Sequence, residues 1–323
     1  LQAPRRSGDH REGAALRARV SASVHIACAL EGRGIVGTAI AALLPMASEG
    51  VMGTGLARAL VDEGRGYGEV LRPRLVTTPA LDALRHAGTE HVYGDTADVE
   101  ELRDVLVVGQ GGVRREVDGN TANQPLVRRV VETCLAAGAP GRWARAISRH
   151  RPQITRTEML ALLYAIVCGR IGNDMARAFA SGRPWEASLQ LHMGLCDDGG
   201  TARSVGRLLR EMLPSALVKV PFTPDAPHCL LVARDLEHAG VPVNFTSTFS
   251  ARQAVTAAML ANVTRTNVFM GRLDQGLQAA LLGEHVVLET QRLIRRLRRE
   301  EAVKTRLIVA SMRSWQTFVR VAG

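Results

Sequence analysis

A single lysine interrupts the apolar run Ala216-Leu217-Val218-Lys219-Val220-Pro221-Phe222. Burial in such a run disfavours the ammonium form and lowers the pKa towards neutrality, and a neutral amine is a nucleophile. Its attack on a carbonyl gives an imine, whose protonated form draws electrons out of the neighbouring C–C bond. The alternative for a lysine at a strand end is to snorkel its ammonium into water. Asp95 could exchange a proton with a hydroxyl beside that bond, or it caps the helix expected after it, a task Asp98 also suits. Arg272 and Arg313 offer planar forks for a phosphate, with the Ser311 hydroxyl as a further donor. The other reading of each arginine is a buried ion pair with a carboxylate.

These residues need a scaffold, and the chain from His91 onward supplies the pattern of one. Short β-branched runs at 91–95, 113–118, 186–192, 216–222, 241–248, 265–271 and 305–312 read as strands. They alternate with helix-period segments at 98–106, 125–137, 157–180, 201–212, 225–239, 251–261, 284–300 and 313–321, the signature of parallel α/β architecture. Thr155 with Glu158 and Ser250 with Gln253 have capping-box spacing, and Thr223 precedes a first-turn Pro224. The expected fold is a (β/α)8 TIM barrel that shows seven of its eight strands. The final strand and helix lie beyond Gly323, or Ser23–Leu30 fills the gap.

Successive strand side chains alternate faces, so the parity of polar positions tells what points inward. Ser188, Gln190 and His192 share one face, Lys219 lies opposite Val218 and Val220, and Asn244, Thr246 and Thr248 align against Val243 and Phe245. Ser311 is expected in register with Arg313, with Ile308 and Ala310 facing away. A structural barrel interior holds branched apolar residues. A polar one marks a site at the barrel mouth, or else a solvated barrel end.

Composition narrows the class. Of 41 basic residues, 39 are arginine, and the only lysines are Lys219 and Lys304. A formal charge of +10 would raise nucleic acid as a partner, but aromatics are 4% and no basic-aromatic binding motif occurs, so helix surface accounts for the arginines. Five scattered cysteines with no Cys-x-x-Cys pair argue against a disulfide framework and fit a reducing cytoplasm. The apolar stretch Ile35 to Ala47 is too short to span a bilayer. Residues 1–88 are expected to form a partly disordered N-terminal extension, and residues 89–323 the barrel. Gly32, Gly34 and Gly37 match the dinucleotide fingerprint, but no acidic residue follows clearly at the ribose distance, so a glycine turn is the reading.

Six ordered segments over about residues 91–323 resemble the transaldolase family, which includes the fructose-6-phosphate aldolases. They are Asp95-Thr96-Ala97-Asp98, Asp118-Gly119-Asn120-Thr121-Ala122-Asn123, Leu217 to Pro224, Val243 to Ala254, Phe269-Met270-Gly271-Arg272 and Ala310-Ser311-Met312-Arg313. The resemblance implies Lys219 as the imine-forming lysine and Asp95 as acid/base. Gln190 joins the catalytic set, while Thr121, Asn123, Asn244 and Thr246 position a water and the donor's hydroxyls. Arg272, Ser311 and Arg313 hold phosphate, near Asn267 and Phe269. It also implies a ketose-phosphate donor of a three-carbon dihydroxyacetone unit, an aldose-phosphate acceptor and no cofactor or metal. Sugar phosphates and further copies of the chain are the expected partners, with neither nucleic acid nor membrane.

Three positions depart from the family pattern. Gln190 falls where transaldolases proper have Glu, and it is typical of the aldolase branch; a neutral amide orients a water but cannot share its proton. Phe269 is instead the transaldolase-type residue, where aldolases have Tyr. Asn267 replaces a family serine. The expected function is transaldolase-like transfer, with an aldolase-like lyase or a catalytically silent binding barrel as alternatives.

Overall fold

The computed structural model describes residues 54–66, 79–105, 108–109, 112–113, 117–179, 184–195, 198–222 and 227–322. The glycine turn at 32–37, the Ser23–Leu30 segment and the Thr223–Pro224 cap lie outside them. In chain order the helices are α1 Thr54–Arg65, α2 Pro79–His86, α3 Val99–Val105, α4 Gln124–Ala136, α5 Ala139–His150, α6 Arg156–Phe179, α7 Gly199–Met212, α8 Cys229–His238, α9 Ala251–Ala261, α10 Met270–Leu277, α11 Leu282–Glu300 and α12 Trp315–Arg320. The strands are β1 Tyr93–Gly94, β2 Val108–Gly109, β3 Gly112–Val113, β4 Gly119–Thr121, β5 Glu186–Gln190, β6 Ala216–Pro221, β7 Val243–Thr248, β8 Arg265–Phe269 and β9 Arg306–Ala310.

Seven strands make one sheet in the order β1-β4-β5-β6-β7-β8-β9, and β2 pairs with β3 in a separate antiparallel hairpin. Strands in chain order with helices between them are the β/α-barrel architecture, here with seven of eight strands among the described residues. The chain forms two compact units. One takes in the described residues of Ser48–Pro221 and Asp235–Asn244, the other those of Phe222–Arg234 and Phe245–Val321.

In the first unit β1, β4, β5 and β6 run parallel, with Gly94 opposite Asn120, Thr121 opposite Ser188, and Gln190 opposite Lys219. Its core is the long helix α6, whose Ala165, Ile166, Cys168 and Met175 are buried together with Trp185, Leu189 and Met212. Helix α6 is apolar and long enough to cross a membrane, yet 56% of its most apolar window is buried inside the protein. Helix α1 lies within the stretch expected as an extension and packs into this unit through Leu56, Leu60 and Val61. Its C-terminal turn is held by Arg170, which donates to the Glu63 carbonyl at 2.8 Å, and by Asn173, which donates to the Gly64 carbonyl at 3.3 Å. A Cβ at Gly64 or at Gly169 would collide with the Met212 sulfur, so the two glycines let α1 lie close upon α6.

In the second unit β8 and β9 are parallel, with Asn267 opposite Ile308 and Phe269 opposite Ala310. Ala254, Val268, Met270, Leu273, Val287 and Ile294 form its core.

Most expected elements appear within a few residues of their expected bounds, and the exceptions have local causes. The strand expected at 113–118 is displaced: Gly112–Val113 belongs to the hairpin, and the barrel strand is Gly119–Thr121. A Cβ at Gly119 would meet the Glu186 backbone, so close approach to β5 demands glycine where β-branched residues were sought. Helix α5 was not among the expected helices. Pro140 sits in its first turn, where no N–H is needed, and Gly138 makes the left-handed link (φ 65). Likewise β8 stops at Phe269 and α10 begins at Met270, where a strand to 271 was expected. The capping box at α6 is present: Glu158 N–H donates to Thr155 Oγ1 at 3.2 Å, and the Glu158 carboxylate accepts from Thr155 N–H at 2.9 Å. At α9 the Ser250 hydroxyl accepts from Gln253 N–H, but the Gln253 amide oxygen accepts from Phe249 N–H, one residue further out than the box spacing implies.

Candidate active site

The first unit carries the amine. Lys219 is buried, 3% exposed, in a strand whose six residues are all buried. Its backbone is fixed on both sides: the Lys219 carbonyl accepts from Leu191 N–H and Val218 N–H donates to the Pro242 carbonyl, each at 2.9 Å. Register partners in a sheet point to the same face, so Gln190 and Lys219 share one, as do Thr121, Ser188 and Leu217. The parity read from the sequence therefore holds on β5 and β6. Asn244 is fully buried and donates to the Ser188 hydroxyl at 2.6 Å.

Asp95 stands just beyond β1 and is exposed rather than enclosed. Its carboxylate accepts a hydrogen bond of 2.9 Å from the Thr121 hydroxyl at the end of β4. The turn that carries it is anchored by Asn120, which donates to the Thr96 carbonyl at 3.0 Å and accepts from the Trp185 indole at 2.9 Å. Asn120 lay inside a recognised segment but had no role assigned; a polar residue of opposite parity to Thr121 was the available signal. Asn123 serves as N-cap of α4, its side-chain oxygen accepting from Leu126 N–H at 3.1 Å. Beside β5, the Cys168 thiol lies 4.0 Å from the Gln190 carbonyl, and burial pushes its pKa up to about 12. His192 has its pKa lowered by burial, and its ring meets Tyr164 edge-on at 5.2 Å.

The second unit carries the cations. The Arg272 guanidinium lies over the Phe269 ring, 4.9 Å from its centre, and Phe249 stacks on the same ring at 5.7 Å. Arg272 and Arg313 are both exposed, which sets aside a buried ion pair for either. Gly271 N–H donates to the Ser311 carbonyl at 3.1 Å, and a Cβ at Gly271 would collide with that carbonyl and crowd the Arg313 side chain. Ser311 has left-handed backbone (φ 64), so the alternation expected through β9 ends at Ala310. Ile308 and Ala310 share the face of Asn267 and Phe269 instead of facing away from the site residues. Thr246 and Asn267 are buried, and neither Thr246 Oγ1 nor Asn267 Oδ1 has a hydrogen-bond partner among the described residues.

Residues 92–323 match the transaldolase/fructose-6-phosphate aldolase family, and the chain belongs to it. It is 29% identical over 222 residues to a probable transaldolase of Rhodospirillum centenum, covering 69% of this chain and 71% of that protein. A probable transaldolase of Desulforapulum autotrophicum is 27% identical over 220 residues, 68% of this chain and 75% of the relative. A third, from Aquifex aeolicus, is 34% identical over 108 residues, 33% of this chain and 45% of its own.

Proposed function

We propose that the protein is a transaldolase-type transferase that moves a three-carbon dihydroxyacetone unit from a ketose phosphate to an aldose phosphate. The observation that carries this reading is the burial of Lys219 on the face it shares with Gln190. Lys219 adds through its neutral amine to the ketose carbonyl, and loss of water gives the imine. Asp95, held by Thr121, takes the proton from the hydroxyl next to the scissile bond as that bond breaks, leaving the three-carbon enamine on Lys219. The aldose leaves, and a second aldehyde accepts the unit by the reverse steps. Arg272 and Arg313 bind the phosphate, and the net charge of +10 draws anionic substrates in.

Gln190 favours a second reading, an aldolase-like lyase that releases dihydroxyacetone, because its amide cannot pass on a proton. Incubation with fructose 6-phosphate and borohydride tests the shared chemistry: a covalent mass added at Lys219 is expected, and an unchanged mass or a fully active Lys219→Ala variant ends the enzyme reading. Free dihydroxyacetone formed without an acceptor aldehyde would decide for the lyase.

A further inference from the structure

Strand β7 contains a residue that a regular strand does not accommodate. Ser247 has φ 65, in the left-handed region that L residues other than glycine rarely occupy. The other described non-glycine residues in this region cap helices or lie outside strands: Asn262, Gln278, Leu281, Ala302 and Ser311. Only Ser247 lies inside one. A left-handed residue in a strand breaks the pleat and bends the chain, as bulges do beside active sites. The alternation that would carry Asn244, Thr246 and Thr248 along one face is therefore interrupted after Thr246.

The consequences lie on both sides of the bend. The Thr248 hydroxyl donates to the backbone carbonyl of Asn267 on β8, a carbonyl that strand N–H groups ordinarily satisfy. Thr246 and Asn267 are 1% and 2% exposed, and each keeps a side-chain oxygen without a partner among the described residues. Buried polar atoms are rarely left so unless something else completes them. Asn267 Oδ1 can only accept, so it calls for a donor, and the Thr246 hydroxyl can give or take. A carbon chain bearing hydroxyls meets both demands.

We propose that Ser247 is a positioning residue: its left-handed backbone bends β7 so that Thr246 and Asn267 present their oxygens to the hydroxyl-bearing chain of the ketose. The inference rests on the proposed function. Its agent is the backbone conformation at 247, with Thr248 closing the gap that the bend leaves.

Three variants of the full chain test it, each checked for folding by thermal melting and assayed for turnover and for Lys219 trapping with fructose 6-phosphate. Ser247→Gly accepts positive φ without strain, so it is expected to melt higher and keep turnover within about twofold. Ser247→Val resists the left-handed region, and turnover is expected to fall about 100-fold, as a small misplacement at a site costs. Thr248→Val keeps the shape and removes the donor, with an expected loss of about tenfold in turnover while Lys219 still traps ketose. A folded Ser247→Val with wild-type turnover, or a Ser247→Gly that loses it, overturns the inference. If Ser247→Val does not fold, Thr248→Val decides by the same measure, and unchanged turnover there is negative. Absence of the Lys219 adduct in the unsubstituted protein would instead defeat the proposed function and this inference with it.

Discussion

The Thr121 hydroxyl donates to the Asp95 carboxylate at 2.9 Å, joining the ends of two neighbouring parallel strands. The carboxylate is exposed, and this bond from a buried threonine gives it a direction. Thr121→Val keeps the shape of the side chain and removes the donor. A loss of about tenfold in kcat is expected, with KM nearly unchanged, because a positioned acid/base acts mainly in the transition state. Steady-state kinetics with a ketose phosphate and an aldose phosphate checks this, and an unaltered kcat would remove Asp95 from the proton-transfer role.

The stacking of Arg272 on Phe269 makes a second prediction. A guanidinium lies flat on a ring and forks onto a phosphate, whereas an ammonium does neither as well. Arg272→Lys is expected to raise KM for fructose 6-phosphate about tenfold, roughly 1.4 kcal/mol of binding, and to leave the response to unphosphorylated dihydroxyacetone unchanged. Equal effects on both ligands would show that Arg272 does not hold phosphate.

Gly64 predicts a stability effect far from the chemistry. A side chain there would be forced against the Met212 sulfur, which Gly169 also confines. Gly64→Val is expected to cost about 1–3 kcal/mol in urea denaturation, and Met212→Ala in the same chain to return part of it. Additive losses would mean that the two side chains do not meet.

Cys168 sets a pH dependence. Burial raises its thiol pKa from an ordinary 9.0 to about 12, so the folded state holds a proton that the unfolded state releases earlier. Its contribution to stability is complete below about pH 9 and is lost as pH rises to about 12. Urea midpoints across that range are expected to fall, and less steeply in Cys168→Ala; identical slopes would assign the alkaline loss to other groups.

Much of the fold could be read from local chemistry. Glu158 and Thr155 announced a helix start, and β6 and β7 announced themselves by β-branched residues on successive faces. Where close approach governed instead, propensity misled: Gly119 begins a barrel strand because nothing larger fits against Glu186, and the helix with Pro140 in its first turn was not expected at all. The site followed the same division. Lys219 and Gln190 were placed together by alternation, which the register keeps. The left-handed backbone at Ser247 and Ser311 was not read because serine carries no sequence signal for it, and Asn120 was given no role because its two bonds reach residues distant in the chain.

The seat of α1 also bears on how this protein should be handled and compared. The family likeness begins at residue 92, but the helix at Thr54–Arg65 is keyed into a notch of two glycines and a methionine, with Asn173 bridging carbonyls of α1, α6 and the end of α7. Trimming a gene to the part that its relatives recognise would therefore strip a fitted piece from the wall that backs the Lys219 strand. For this chain, the limit of likeness is not a safe place to cut.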